Sequence, residues 1–207
     1  MLWRANIRRL EFEPLRDSLL AIGGVLDPTM YGRPANLARE PYSTRRTVYG
    51  FIDRNNVNEV MFNFDFANPD LTTGKRHQTT VPQQALFLMN SPLVVEQAKA
   101  LVERKDFTGL TDDRSRIVLL YEMIYQRLPR PEEVQLGLDF IATQPAQERV
   151  AAAGNRRPAQ GRLREQAQAK MQQRRGGESP FRSRDPLTAW EEYAHALFQA
   201  NETSFIN

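Results

Sequence analysis

A mainly α-helical domain with a small β element, an irregular α+β arrangement, is the fold class these 207 residues predict, and three observations predict it. Apolar residues recur at helical spacing in several separate segments. Prolines and acidic residues stand where first helical turns accept them. Only "RTVYGFIDR" reads as a strand. Leu15, Leu19 and Ile22 open the helical series at i, i+4 and i+7, with Pro14 in the first turn, where its missing N–H removes no intrahelical bond. The strand follows at residues 46–54, where β-branched and aromatic side chains lie without a helical stripe. In "TVPQQALFLMNSP", Pro82 fits the first helical position, an upstream threonine hydroxyl fits the cap, and "ALFLM" is apolar enough to be buried. "NSP" repeats that grammar, with Ser91 as cap, Pro92 as first residue and Val94, Ala98, Leu101 and Val102 as buried face. A bend falls near Asn90 and Ser91, because Pro92 disfavours helical geometry in the residue before it.

Thr111 and two aspartates start the next helix, carrying Ile117, Leu120, Tyr121, Ile124 and Tyr125. Pro131, Glu132 and Glu133 lead Val134, Leu138 and Ile141 into another. Leu187, Trp190, Ala194, Leu197 and Phe198 form a last stripe that ends near Asn201. Three regions result: a body at 1–144, a basic low-complexity insertion at 145–185, and a closing helix at 186–207 that packs back on the body. Between Pro145 and Asp185 ten basic residues face four acidic ones, which leaves 18 basic against 21 acidic elsewhere. That insertion has few large apolar residues and is expected to be disordered or partly helical. Its charge suits phosphate, but Phe181 is its one aromatic and no reader motif accompanies it, so no specific nucleic-acid binding is expected.

Composition excludes several chemistries. The 41% hydrophobic content is enough for a core, whereas the longest apolar run, Ala85 to Met89, falls far short of the roughly 20 residues of a membrane span. "MLWRANIRRLEFEP" has charges where a signal peptide would be apolar. Without cysteine the chain holds no disulfide, thiolate metal site, cysteine nucleophile or C-x-x-C-H haem attachment. His77 and His195 stand apart with no ligand-spaced partner, so no metal is expected, and His195 falls on or beside an apolar helix face.

The candidate polar cluster is Arg45, Arg54, Asp65, Arg76, His77, Gln83 and Gln84. Asp65 lies between phenylalanines in "FNFDFANP", with Arg54 ending the strand before it and Arg76 leading into the helix after it. An ionised Asp65 paired with one of those arginines is expected, since guanidinium and carboxylate fit bidentately. Such a cluster serves either as an ion-pair network locking loops to a helix or as a pocket for a glycan or anion. Asp53, Asp65 and Asp70 could also supply the two carboxylates of glycoside hydrolysis, although aspartates beside asparagine and glycine commonly serve turns.

"RRTVYGFIDRNN", "FDFANPD", "TTVPQQALFLMNSPLVVEQAKAL", "LYEMIYQRLPRPEEV" and "AWEEYAHALFQANETSFIN", in that order, resemble the planctomycete-associated domain of unknown function 1553. The resemblance covers nearly the whole chain apart from Pro145 to Asp185. It implies the C-terminal domain of a large, exported protein that also carries a cytochrome-c-like domain, hence an extracytoplasmic location. "RRLEFEPLRDSLL" resembles an internal helix of the family, so the chain is expected to be part of a longer polypeptide. The haem-binding part is not in this chain and the family offers no established catalytic residues, so neither cofactor nor catalytic residue carries over. The expected role is a non-catalytic scaffold or interaction module whose partner is the missing N-terminal portion of the same polypeptide or a separate chain. The alternative is a carbohydrate-linked domain binding a polar ligand such as a polysaccharide, or a hydrolase centred on Asp65 and its arginines.

Overall fold

A computed structural model describes residues 8–37, 40–143 and 186–206; the insertion assigned to 145–185 lies outside the described residues. The chain is mainly helical, as its apolar spacing predicts. Helix α1 (Phe12–Ile22) buries Leu15 and Leu19 completely, and Pro14 sits in its first turn beside Glu13. After a long irregular stretch come the short α2 (Glu59–Asn63), α3 (Pro82–Asn90), α4 (Pro92–Glu103) and a single turn, α5 (Lys105–Thr108). Then α6 (Asp113–Tyr125), α7 (Pro131–Thr143), α8 (Ala189–Gln199) and the one-turn α9 (Asn201–Ser204) complete the helices among the described residues.

Helices α4 and α8 form the central pair, with α1, α3, α6 and α7 around them. Val94, Ala98 and Leu101 of α4 meet Ala194 and Phe198 of α8, Ile117 and Leu120 of α6, and Leu15 and Leu19 of α1 in one core. Trp190 packs edge-on against Phe107, 5.4 Å between centroids, and Arg116 lies over both rings. Among the described residues the strands are β1 (Arg8–Arg9) and β2 (Phe205–Ile206). They pair antiparallel, Arg8 opposite Ile206 and Arg9 opposite Phe205, and so tie the segment before α1 to the segment after α9.

The predicted strand at 46–54 is not one. Thr47–Tyr49 is a single 3-10 turn, flanked by isolated parallel bridges from Asp27 to Arg45 and from Ala35 to Gly50. Strand residues need a neighbouring strand, and this segment is held by side chains of α1 instead. Asp17 accepts from the Thr47 amide at 2.7 Å and from its hydroxyl at 2.6 Å. Arg16, only 1% exposed, donates to the Arg45 carbonyl at 3.0 Å, to Thr47 Oγ1 at 3.1 Å and to the Ser43 carbonyl. Burial lowers the Arg16 pKa and the adjacent Asp17 carboxylate opposes that shift.

Caps also differ from expectation: Ser91 stands at the cap position of α4, but its side chain makes no cap hydrogen bond. Helix α6 is capped by Asp112, whose carboxylate accepts from the Ser115 amide at 3.0 Å, rather than by the Thr111 hydroxyl. Helix α3 has Val81 at its cap position, and no threonine hydroxyl serves it. Gln84 reaches back from the first turn and accepts from the Val81 amide at 3.1 Å. Ser91 breaks α3 from α4 with extended backbone, ψ 127, as Pro92 requires. "ALFLM" is not buried as a block: Leu88 is, whereas Leu86 and Met89 stay about half exposed.

Candidate functional site

The residues grouped around Asp65 from sequence are dispersed by the fold. Asp65 adopts the left-handed conformation, φ 57, which aspartate tolerates better than most residues. Its carboxylate accepts from the Thr79 amide at 2.7 Å and the Thr79 hydroxyl at 2.9 Å, with neither predicted arginine as partner. Arg54 extends into solvent and pairs with Asp70 at 3.4 Å. Arg76 bridges Glu11 and Glu13 of the α1 start at 3.0 and 2.9 Å while lying over the Phe66 ring. Hydrogen bonding to Glu13 is the largest cause of its raised pKa. His77 is exposed. Asp53 accepts from the Asn55 amide at 2.9 Å, as a turn aspartate does. The expected convergence of Asp65 with Arg54 or Arg76 is therefore corrected: Arg76 finds its counter-charges more than sixty residues earlier, on α1.

Gln84 is a buried junction. Its Nε2 donates to the carbonyls of Asn63 at 2.7 Å and Thr79 at 3.2 Å, and its Oε1 accepts from Arg9 as well as Val81. Arg9, which the sequence reading missed, lies over Phe64 and Phe205. Burial lowers its pKa and the charge of Asp65 opposes the shift. Two-residue strands carry no periodicity, so nothing in the sequence marked Arg9 as central. His195 is satisfied within the fold, its Nε2 donating to the Leu88 carbonyl at 3.1 Å and its Nδ1 accepting from Gln199 at 3.3 Å. No group of three His, Cys, Asp or Glu side chains that could hold a metal occurs among the described residues.

Gln83 is one of the residues lining a groove of about 430 Å³ bounded by α2, α3 and the starts of α1 and α4. Phe12, Leu37, Phe87 and Leu93 contribute apolar lining, with Leu86 on one wall. Asn58, Asn63, Gln83, Asn90 and Tyr42 also line it, and among the described residues Glu59 is its one charged lining residue. Asn58 accepts from the Val60 amide at 2.9 Å to cap α2. Among the described residues, the side chains of Asn63, Gln83 and Asn90 have no hydrogen-bond partner.

A second feature lies in the irregular stretch between α1 and α2. Met30, Tyr31, Val48 and Phe51 are 61–78% exposed on two adjoining loops. Those loops are braced from within. Arg45 donates to the carbonyls of Arg33 at 2.7 Å, Thr29 at 3.3 Å and Tyr31, while stacking 4.4 Å over Tyr49. Ala35 exchanges hydrogen bonds of 2.8 Å with Tyr49 and Phe51, and the Tyr31 amide donates to the Tyr49 hydroxyl. Arg45 thus has a structural partner set of its own, apart from Asp65.

Over residues 1–141 the chain matches the family model described as PSD1, protein of unknown function (DUF1553). No curated protein and no solved structure matches it.

Proposed function

The chain belongs to the PSD1 family of proteins of unknown function (DUF1553), and from that premise we propose that it is a non-catalytic interaction module. It would act within a larger, exported polypeptide in an extracytoplasmic compartment, docking the N-terminal portion of that polypeptide. The observation that carries this proposal is the braced loop pair. Four large apolar side chains in solvent are costly to a protein that has nothing to bind there, and a rigid loop loses little entropy on docking. No helix among the described residues is long and apolar enough to cross a membrane.

Hydrogen exchange on the chain alone and in complex with the remaining portion of the polypeptide tests the proposal. Amides of residues 29–35 and 47–51 should exchange at least about tenfold more slowly in the complex. Unchanged exchange in both loops, with protection confined to other surfaces, would overturn it.

A further inference from the structure

We propose that the groove between α2 and α3 is a second, separate binding site that takes an extended polypeptide segment with alternating apolar side chains and one lysine or arginine placed opposite Glu59. The volume, about 430 Å³, lies in the range of sites that enclose a ligand. The apolar lining suits side chains that alternate along an extended chain, every second one pointing the same way. Such a chain also carries backbone donors and acceptors along its whole length. Asn63, Gln83 and Asn90 have carboxamides that both donate and accept, and none is engaged within the described structure. A sugar ring can lay its C–H face on Phe12 or Phe87, but its edge hydroxyls would meet Leu37, Leu86 and Leu93 and lose their water there without gaining partners. An anionic ligand would meet Glu59, and among the described residues no cation lines the groove. Electrostatic complementarity therefore selects a basic residue at the Glu59 end. This site is distinct from the braced loops, so its failure and theirs are read separately.

The experiment uses three fluorescein-labelled probes with the full chain: an octapeptide with valine at alternate positions and a single lysine, its glutamate counterpart, and cellohexaose. Fluorescence polarisation should show saturable binding of the lysine peptide below about 1 mM, with the glutamate peptide about fivefold weaker, the scale of one exposed ion pair. Glu59→Gln should bring the two peptides within about twofold of each other, and Leu86→Asp, on a half-exposed wall, should weaken both by more than about tenfold. Amide shifts in a nitrogen-15 spectrum should map the bound lysine peptide to residues 58–63 and 83–93. Equal binding of both peptides by the unmodified chain, cellohexaose binding more tightly at those same amides, or no saturation by any probe would each overturn the proposal. The thermal midpoint of each variant, unchanged from the parent, confirms that the fold is intact when the affinities are compared.

Discussion

Replacing Asp65 measures how a left-handed turn is fastened to the start of α3. Asp65→Ala removes the acceptors for the Thr79 amide and hydroxyl, 2.7 and 2.9 Å away. Thr79 is exposed, so each bond is taken at about 1 kcal/mol, near the ordinary net value rather than the higher one for buried charged pairs. Alanine at φ 57 adds about 1 kcal/mol of backbone strain, giving about 3 kcal/mol in total. Asp65→Asn keeps one acceptor and a side chain suited to that conformation, so about 1 kcal/mol is expected. Urea unfolding followed by circular dichroism, with the m-value held constant, reads both. In a double-mutant cycle, Asp65→Ala with Thr79→Val should show coupling of about 1 kcal/mol, whereas Asp65→Ala with Arg54→Met should be additive within about 0.5 kcal/mol. A coupling above about 1 kcal/mol between Asp65 and Arg54, or a loss below about 0.5 kcal/mol for Asp65→Ala, would refute the reasoning.

Three further outcomes follow from other contacts. Arg16→Met should destabilise the chain by about 3 kcal/mol, because the Ser43 and Arg45 carbonyls lose a buried donor, and limited proteolysis should reveal new cleavage near residues 43–47. Arg127 binds Glu133 through two bonds of 2.8 Å and Glu202 through bonds of 2.5 and 2.9 Å, and it holds the Glu133 carboxyl down at about 2. A carboxyl whose folded pKa is depressed stabilises the fold above its ordinary value and loses that contribution as pH falls toward 2. Midpoints measured from pH 5 to pH 2 should therefore fall more steeply for the parent than for Arg127→Met, and parallel profiles would contradict this. Gly137→Ala should destabilise by about 1–3 kcal/mol despite the helix propensity of alanine, since its Cβ would stand 2.5 Å from the Tyr193 hydroxyl and 2.9 Å from Ile117 Cδ1. A gain in thermal midpoint would sink that prediction.

Helices were legible because burial imposes a period, and the period survives in the sequence. Leu15 and Leu19, Val94 and Ala98, and Ile117 and Leu120 all face the core as their spacing demands. Proline and acidic residues marked the starts of α3, α4 and α7 for a local reason, the unpaired amides of a first turn. The strand predicted at 46–54 failed because strand propensity says nothing about whether a partner strand exists. Thr47 was instead drawn to Asp17 and Arg16, about thirty residues earlier. Charge pairing failed for a related reason. Arg76 chooses Glu11 and Glu13, and Arg127 chooses Glu202, across separations that only the packed helices bring together. Of the candidate cluster, Gln84 and Asp65 meet through Thr79, Gln83 lines the groove, and Arg45, Arg54, Arg76 and His77 lie elsewhere. The half-exposed Leu86 and Met89 show why an apolar run is a poor guide to burial: α1, α2, α4 and α8 pack on α3 and bury Leu88, while Leu86 and Met89 lie off that contact.

The central claim, that the braced loops dock another portion of a larger polypeptide, is tested most directly by titrating the chain with that separately purified portion in a calorimeter. Association should occur with a negative heat-capacity change, as apolar burial requires, and Phe51→Asp should weaken it by at least about tenfold. The thermal midpoint of the free Phe51→Asp chain should stay where it was, because Phe51 is 61% exposed and contributes little to the core. Absence of association, or association that Phe51→Asp leaves undiminished, would contradict the claim.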